Sequence, residues 1–173
     1  MIWLALAAAL AAPAADGSHD FDLEIGRWHT ELRRLAHPLA GSTEWVSYSG
    51  TTTVTPIWGA KGNLAELEVD GPAGHIEGMS VRLFDPRSRQ WSMNYSNSRY
   101  GTLIGQPTIG SFVNGRGEFY STDDLDGRAI LVRFVIAPES ADRIHFEQSY
   151  SADGGRTWEA NWIATDTRIG AAP

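Results

Sequence analysis

The sequence predicts an all-β fold: a single closed or nearly closed antiparallel up-and-down barrel of about ten strands. Three observations carry this. Stretches with apolar residues at every second position recur about every ten to fifteen residues, separated by Gly, Pro, Asn and Asp, the pattern of strands joined by tight turns. Helical periodicity is missing beyond the first residues, apart from one short turn at 20–25. The connections are short, which favours sequential antiparallel neighbours over crossovers. A meander of that many strands exposes two edges unless the sheet curls closed.

The elements follow in order. Strands are expected at 26–35 and 44–56, then at 63–69, where Ala65, Leu67 and Val69 share a face. Asp70-Gly71-Pro72 turns the chain into 75–84, with Met79, Val81 and Leu83 as its apolar face. Asp85-Pro86 leads to 90–96, where Trp91, Met93 and Tyr95 alternate. Strands at 108–113 and 117–121 flank Asn114-Gly115-Arg116-Gly117, and Asp126-Gly127 precedes 129–136 with Ile130, Val132, Phe134 and Ile136 in phase. The last pair, 143–151 and 157–168, flanks Asp153-Gly154-Gly155, where Gly supplies the positive φ of a hairpin turn.

Composition narrows the class. The chain has 173 residues, 42% hydrophobic and 20% charged, enough for one domain with a sizeable core. A net charge of −7 argues against a nucleic-acid partner. Ile2 to Ala12 form an apolar run too short to span a bilayer, ending in the small-x-small pattern Ala12-Pro13-Ala14. Residues 1–14 therefore read as a signal peptide, although no Lys or Arg precedes the run, and 15–173 as one domain, periplasmic or secreted and not membrane-inserted. With no Cys, the chain has no disulfide and no thiolate chemistry.

Several blocks resemble the DUF1579-type proteins, a bacterial family of unknown function grouped with lipocalin-like calycin barrels. They are His19 to Trp28, Leu39 to Trp45, Arg82-Leu83-Phe84-Asp85-Pro86, Gln90-Trp91-Ser92, and Phe146-Glu147-Gln148 through Asn161-Trp162. Gly26-x-Trp28 looks like the Gly-x-Trp that opens lipocalin barrels, where the Trp plugs the closed end. The resemblance implies the same barrel and no particular activity.

Motifs of catalysis are sparse. Ser151-x-Asp153-x-Gly155-x-Thr157-Trp158 matches the Asp-box of sialidase propellers, but 173 residues are too few for a propeller, so it reads as a structural hairpin. His29 with Glu31 and His75 with Glu77 pair ligand-type groups on strands without metal-site spacing, so no metal and no cofactor are expected. Arg82, Arg99 and Arg133 either anchor a carboxylate or pair with Glu66, Glu147 or Asp166 on the outer surface.

Polar residues in phase with apolar faces are the more informative signal. Strand parity places Asn63, His75, Glu77, Tyr95, Asn97 and Gln148 on the inner side, where unpartnered polar groups are costly. The expected function is binding of a small, largely apolar molecule. Its pocket is walled by Trp45, Trp91, Tyr95 and Trp162 and anchored by Asn63, Glu77, Arg99 and Gln148. The alternative is a cofactor-independent isomerase, cyclase or lyase in the same cavity, with Glu77 as general acid or base.

Overall fold

A computed structural model describes residues 16–172; the leader read at 1–14 lies outside the described residues. Ten strands follow in chain order: β1 (Gly26–Leu35), β2 (Trp45–Ile57), β3 (Gly62–Gly71), β4 (Gly74–Asp85) and β5 (Gln90–Asn97), then β6 (Ile104–Val113), β7 (Arg116–Leu125), β8 (Arg128–Ser140), β9 (Arg143–Ser151) and β10 (Glu159–Gly170). Each pairs antiparallel with its sequence neighbours, and β1 pairs with β10 to close the barrel. Closure removes both sheet edges.

One end is plugged by the segment before β1. The turn at 20–25 is a short 3-10 helix, Asp22–Glu24, and it presents Phe21 to the barrel interior. The Phe21 ring lies 4.8 Å from Trp91 and 4.9 Å from Phe112, both edge-on, the geometry aromatic quadrupoles favour. Trp28 and Trp91, each 1% exposed, donate their indole N–H to plug carbonyls, Glu24 at 2.7 Å and Gly17 at 2.8 Å. Both rings are thereby buried with no unsatisfied donor.

Arg168 locks this plug. Its guanidinium sits 4.0 Å over the Trp28 ring and donates to the carbonyls of Leu23 (2.8 Å) and Ile25 (2.9 Å). Gly26 adopts φ +144, and a Cβ there would lie 2.5 Å from Arg168 Nη1, so only Gly admits the arginine. Lys keeps the charge but not the fork. Arg168→Lys is expected to lower stability by about 1–2 kcal/mol in urea unfolding; an unchanged midpoint would show that the plug does not depend on those two bonds.

β4 reverses its expected phase. Arg82 faces inward against Glu24, so Ile76, Gly78, Ser80 and Phe84 face inward with it, while Met79, Val81 and Leu83 lie outside. Volume and charge explain the reversal. Inside, a Cβ on Gly78 would stand 2.9 Å from the Tyr95 hydroxyl, so the position is empty to admit that ring. Arg82 is kept inside by its ion pair. Apolarity therefore marks the outer side of this strand, opposite to the rule for a half-buried sheet. His75 and Glu77 lie outside for the same reason.

Candidate functional site

The barrel interior changes character from one end to the other. Beside the plug, inward side chains are sealed: Trp28, Val54, Trp91, Phe119 and Ile136 are at most 1% exposed. Farther from it, inward residues remain partly accessible, among them Leu67, Ile76, Phe134, Phe146, Gln148 and Trp162. An inward side chain of a closed barrel is reached through the lumen, so this half is less completely sealed than the plug end, although Leu32, Tyr48, Val69 and Ala164 pack into a second buried cluster within it. Phe134, Gln148, Trp162 and Arg34 are consecutive register partners across β8, β9, β10 and β1. They form one inward row that ends with the Arg34 guanidinium 5.1 Å over the Trp162 ring.

Phe146 packs against Phe134 at 5.4 Å and bridges the plug-side core to the cluster of Leu32, Tyr48 and Val69. The Gln148 amide donates to Asn161 Oδ1 at 3.0 Å. Asn161 is the extra residue of a β-bulge between Ala160 and Trp162, which lets it share a side with its neighbour. Burial, with the nearby Asp123 carboxylate, pushes the Tyr150 hydroxyl above its ordinary value.

At the floor, above the plug, lies a cluster of charged and polar groups. Arg82 Nη1 donates to Glu24 Oε2 at 2.5 Å, and the same guanidinium stacks 4.7 Å over Phe21. On the β1–β10 side, the Thr30 hydroxyl donates to Asp166 Oδ1 at 2.5 Å and lies 2.6 Å from Thr52 Oγ1. Because the Thr30 proton goes to Asp166, Thr52 is the donor to Thr30. Burial pushes the Asp166 carboxyl up to about 6; the Glu24 charge adds to the rise, and the Thr30 bond, Arg82 and His29 oppose it.

The residues expected at the site are distributed unevenly. Asn63, Tyr95, Gln148 and Trp162 face inward, Asn63 in the floor at 2% exposure and the others along the lumen. Trp91 is inward but fully enclosed by the plug, so it is core rather than pocket wall. Trp45 lies outside, with the Arg33 guanidinium 5.1 Å over its ring; β2 turns Val46 and Tyr48 inward instead. Glu77 is exposed on the outer side, 3.9 Å from His75, which also pairs with Asp70 at 2.9 Å. It cannot act as an acid or base in the lumen. Arg99 is exposed in the turn after β5, its backbone N–H capped by Asn97 Oδ1 at 3.1 Å, so it stands at the rim beside Gly74.

Of the outer-surface pairs, Arg133 meets Glu147 at 3.7 Å, whereas Asp166 faces inward. The Asp-box is a closed hydrogen-bond unit. Asp153 accepts from the Arg156 and Thr157 backbone N–H groups and from the Ser151 and Thr157 hydroxyls, which holds its carboxyl far below the usual range. No group of three or more metal-ligating side chains exists among the described residues.

Sequence reasoning missed Glu24, Thr30 and Asp166 as floor residues, and left Arg82 open between a carboxylate anchor and an outer-surface pair; it pairs inside with the Glu24 carboxylate. A usable signal existed for Asp166, which continues the phase of Trp162 and Ala164 along β10. Glu24 carries no such signal, because it lies in the plug, outside any alternating run.

No family model and no curated protein matches the sequence. Solved structures do match in form. The S-type phycobiliprotein lyase CPES from Guillardia theta superposes with a TM-score of 0.59 at 14% identity, over 86% of this chain and 90% of that one. EF1p2_mFAP2b bound to DFHBI gives 0.48 at 12% identity, over 88% and 99%. A fluorescence-activating β-barrel designed de novo gives 0.45 at 13%, over 90% and 99%. At such identities the likeness is one of fold, and the fold is a closed, lipocalin-like antiparallel barrel.

Proposed function

We propose that the chain is an exported barrel of the DUF1579 type that binds a small, largely apolar molecule in its lumen. The observation that carries this reading is the inward aromatic row. Phe134, Phe146 and Trp162 stay partly accessible inside a closed barrel whose other end is sealed by Phe21 and Trp28. Apolar walls with a few placed polar groups are what a small-molecule site needs, and Gln148 with Asn161 supplies such groups on the wall. Comparable barrel form in a phycobiliprotein lyase is consistent with that use. The catalytic alternative rested on Glu77, and with that carboxylate outside, the reading has lost its general acid or base.

The test is a titration with N-phenyl-1-naphthylamine, an apolar fluorescent probe, alongside native mass spectrometry of gently purified protein. Probe emission is expected to rise on binding. Gln148→Trp, which fills the space between Phe134 and Trp162, is expected to weaken the probe at least tenfold, about 1.4 kcal/mol. Trp45→Ala, on the outer side, is expected to leave it unchanged. Equal loss in both variants, or no binding and no co-purified molecule, would remove the lumen as the site.

A further inference from the structure

We propose that the lumen floor anchors a cationic, hydrogen-bond-donating head group, so that the molecule bound is an apolar body carrying a primary amine. This rests on the lumen-binding reading and adds the chemistry of one end of the ligand. Three floor side chains are more than nine-tenths buried and have a polar atom without a partner: Glu24 Oε1, Asn63 Oδ1 and Arg82 Nε. Buried polar atoms are rarely left so, and two of these three are acceptors. Asn63 and Arg82 are register partners on β3 and β4, and Arg82 pairs with Glu24. The vacant acceptors therefore belong to one cluster rather than to scattered sites.

Charge selects the head group. Thr30 of β1 faces Asp166 directly, Glu24 from the plug and Arg82 from β4 act on its charge, and His29 acts from the outer side of β1. Two carboxyls thus share one guanidinium, and Asp166 ionises only at the cost of an unmatched buried charge. An ammonium group would match that charge and donate to the free acceptors. A carboxylate would bring a third negative group to a single Arg. An alcohol would fill an acceptor and leave Asp166 as it was. Thr52 and Asp166 keep partial accessibility while Thr30 is sealed at 1%, so the floor opens on their side.

The experiment compares 1-naphthylmethylamine, 1-naphthylmethanol and 1-naphthoate as competitors of N-phenyl-1-naphthylamine on the full chain. At pH 7.5 the amine is expected to bind at least tenfold more tightly than the alcohol, with the carboxylate weakest. Between pH 7 and pH 5 the amine should lose about tenfold in affinity as Asp166 takes up its proton, while the alcohol stays level. In Asp166→Asn, which keeps the acceptor for Thr30, amine and alcohol should converge and the pH dependence should vanish. Equal binding of all three compounds, preference for the carboxylate, or a pH dependence retained in Asp166→Asn overturns the floor assignment and leaves the lumen reading standing. Failure of the fluorescent probe itself to bind overturns both. If the variant does not fold by circular dichroism, the ranking of the three compounds on the parent chain decides.

Discussion

Arg82→Met is expected to lower unfolding free energy by about 3–5 kcal/mol. The guanidinium and the Glu24 carboxylate are each below a tenth exposed and 2.5 Å apart. Removing the cation leaves a carboxylate in a site walled by Phe21, Trp28 and Trp91, where water does not replace the lost partner. The stacking of Arg82 on Phe21 at 4.7 Å is lost as well. Methionine fills most of the vacated volume, so a cavity contributes little and the unpaired charge dominates. The double variant Glu24→Leu with Arg82→Met removes both desolvation penalties and is expected to regain most of the stability. Urea unfolding of the two single variants and the double variant measures the coupling directly. If the double variant is as unstable as the sum of the singles, the two groups are uncoupled, and the account of the loss as an unpaired buried charge fails.

That floor shows which parts of this molecule were readable as text. Strand positions were readable because turn chemistry is local: the expected 26–35 and 143–151 coincide with β1 and β9. Closure was readable because a long meander must dispose of its edges. Face assignment was readable only where the inner side was apolar along its length. It held on β8, where Ile130, Val132, Phe134 and Ile136 face inward. It failed on β4, where Gly78, Ser80 and Arg82 occupy the inner side and hydrophobic Met79, Val81 and Leu83 the outer. Parity then carried Glu77 to the wrong side, since a one-residue error of phase moves every side chain across the sheet. Asn63, Tyr95 and Gln148 come from strands whose inner phase was clear. The floor needed three dimensions: Glu24 and Arg82 are 58 residues apart, and Thr30 and Asp166 are 136 apart. Each alone reads as an ordinary polar residue.

Asp166→Asn is expected to stabilise the protein, and to do so only above the acid range. The Asp166 carboxyl titrates at about 6 in the folded barrel against an ordinary 3.8. Between those values the folded state holds a proton that the unfolded chain has released. Relative to a neutral side chain, Asp166 is therefore harmless below about pH 4; its cost builds up between the two values and levels off above about pH 6. At pH 7.5 the full difference corresponds to about 3 kcal/mol, which sets the upper limit of the gain. Asn keeps an oxygen to accept from Thr30, so the Thr52–Thr30 chain survives the change. The two proteins should thus have nearly equal urea midpoints at about pH 4, separate between about pH 4 and 6, and keep a constant difference from about pH 7 upward. A gain that is the same at pH 4 and at pH 7.5 would mean that Asp166 titrates as an ordinary carboxyl, with water reaching it freely. The direction matters beyond stability. A barrel that holds a carboxyl at its floor at the expense of its own folding, when an amide of the same shape would relieve it, carries a group whose compensation comes from something bound above it.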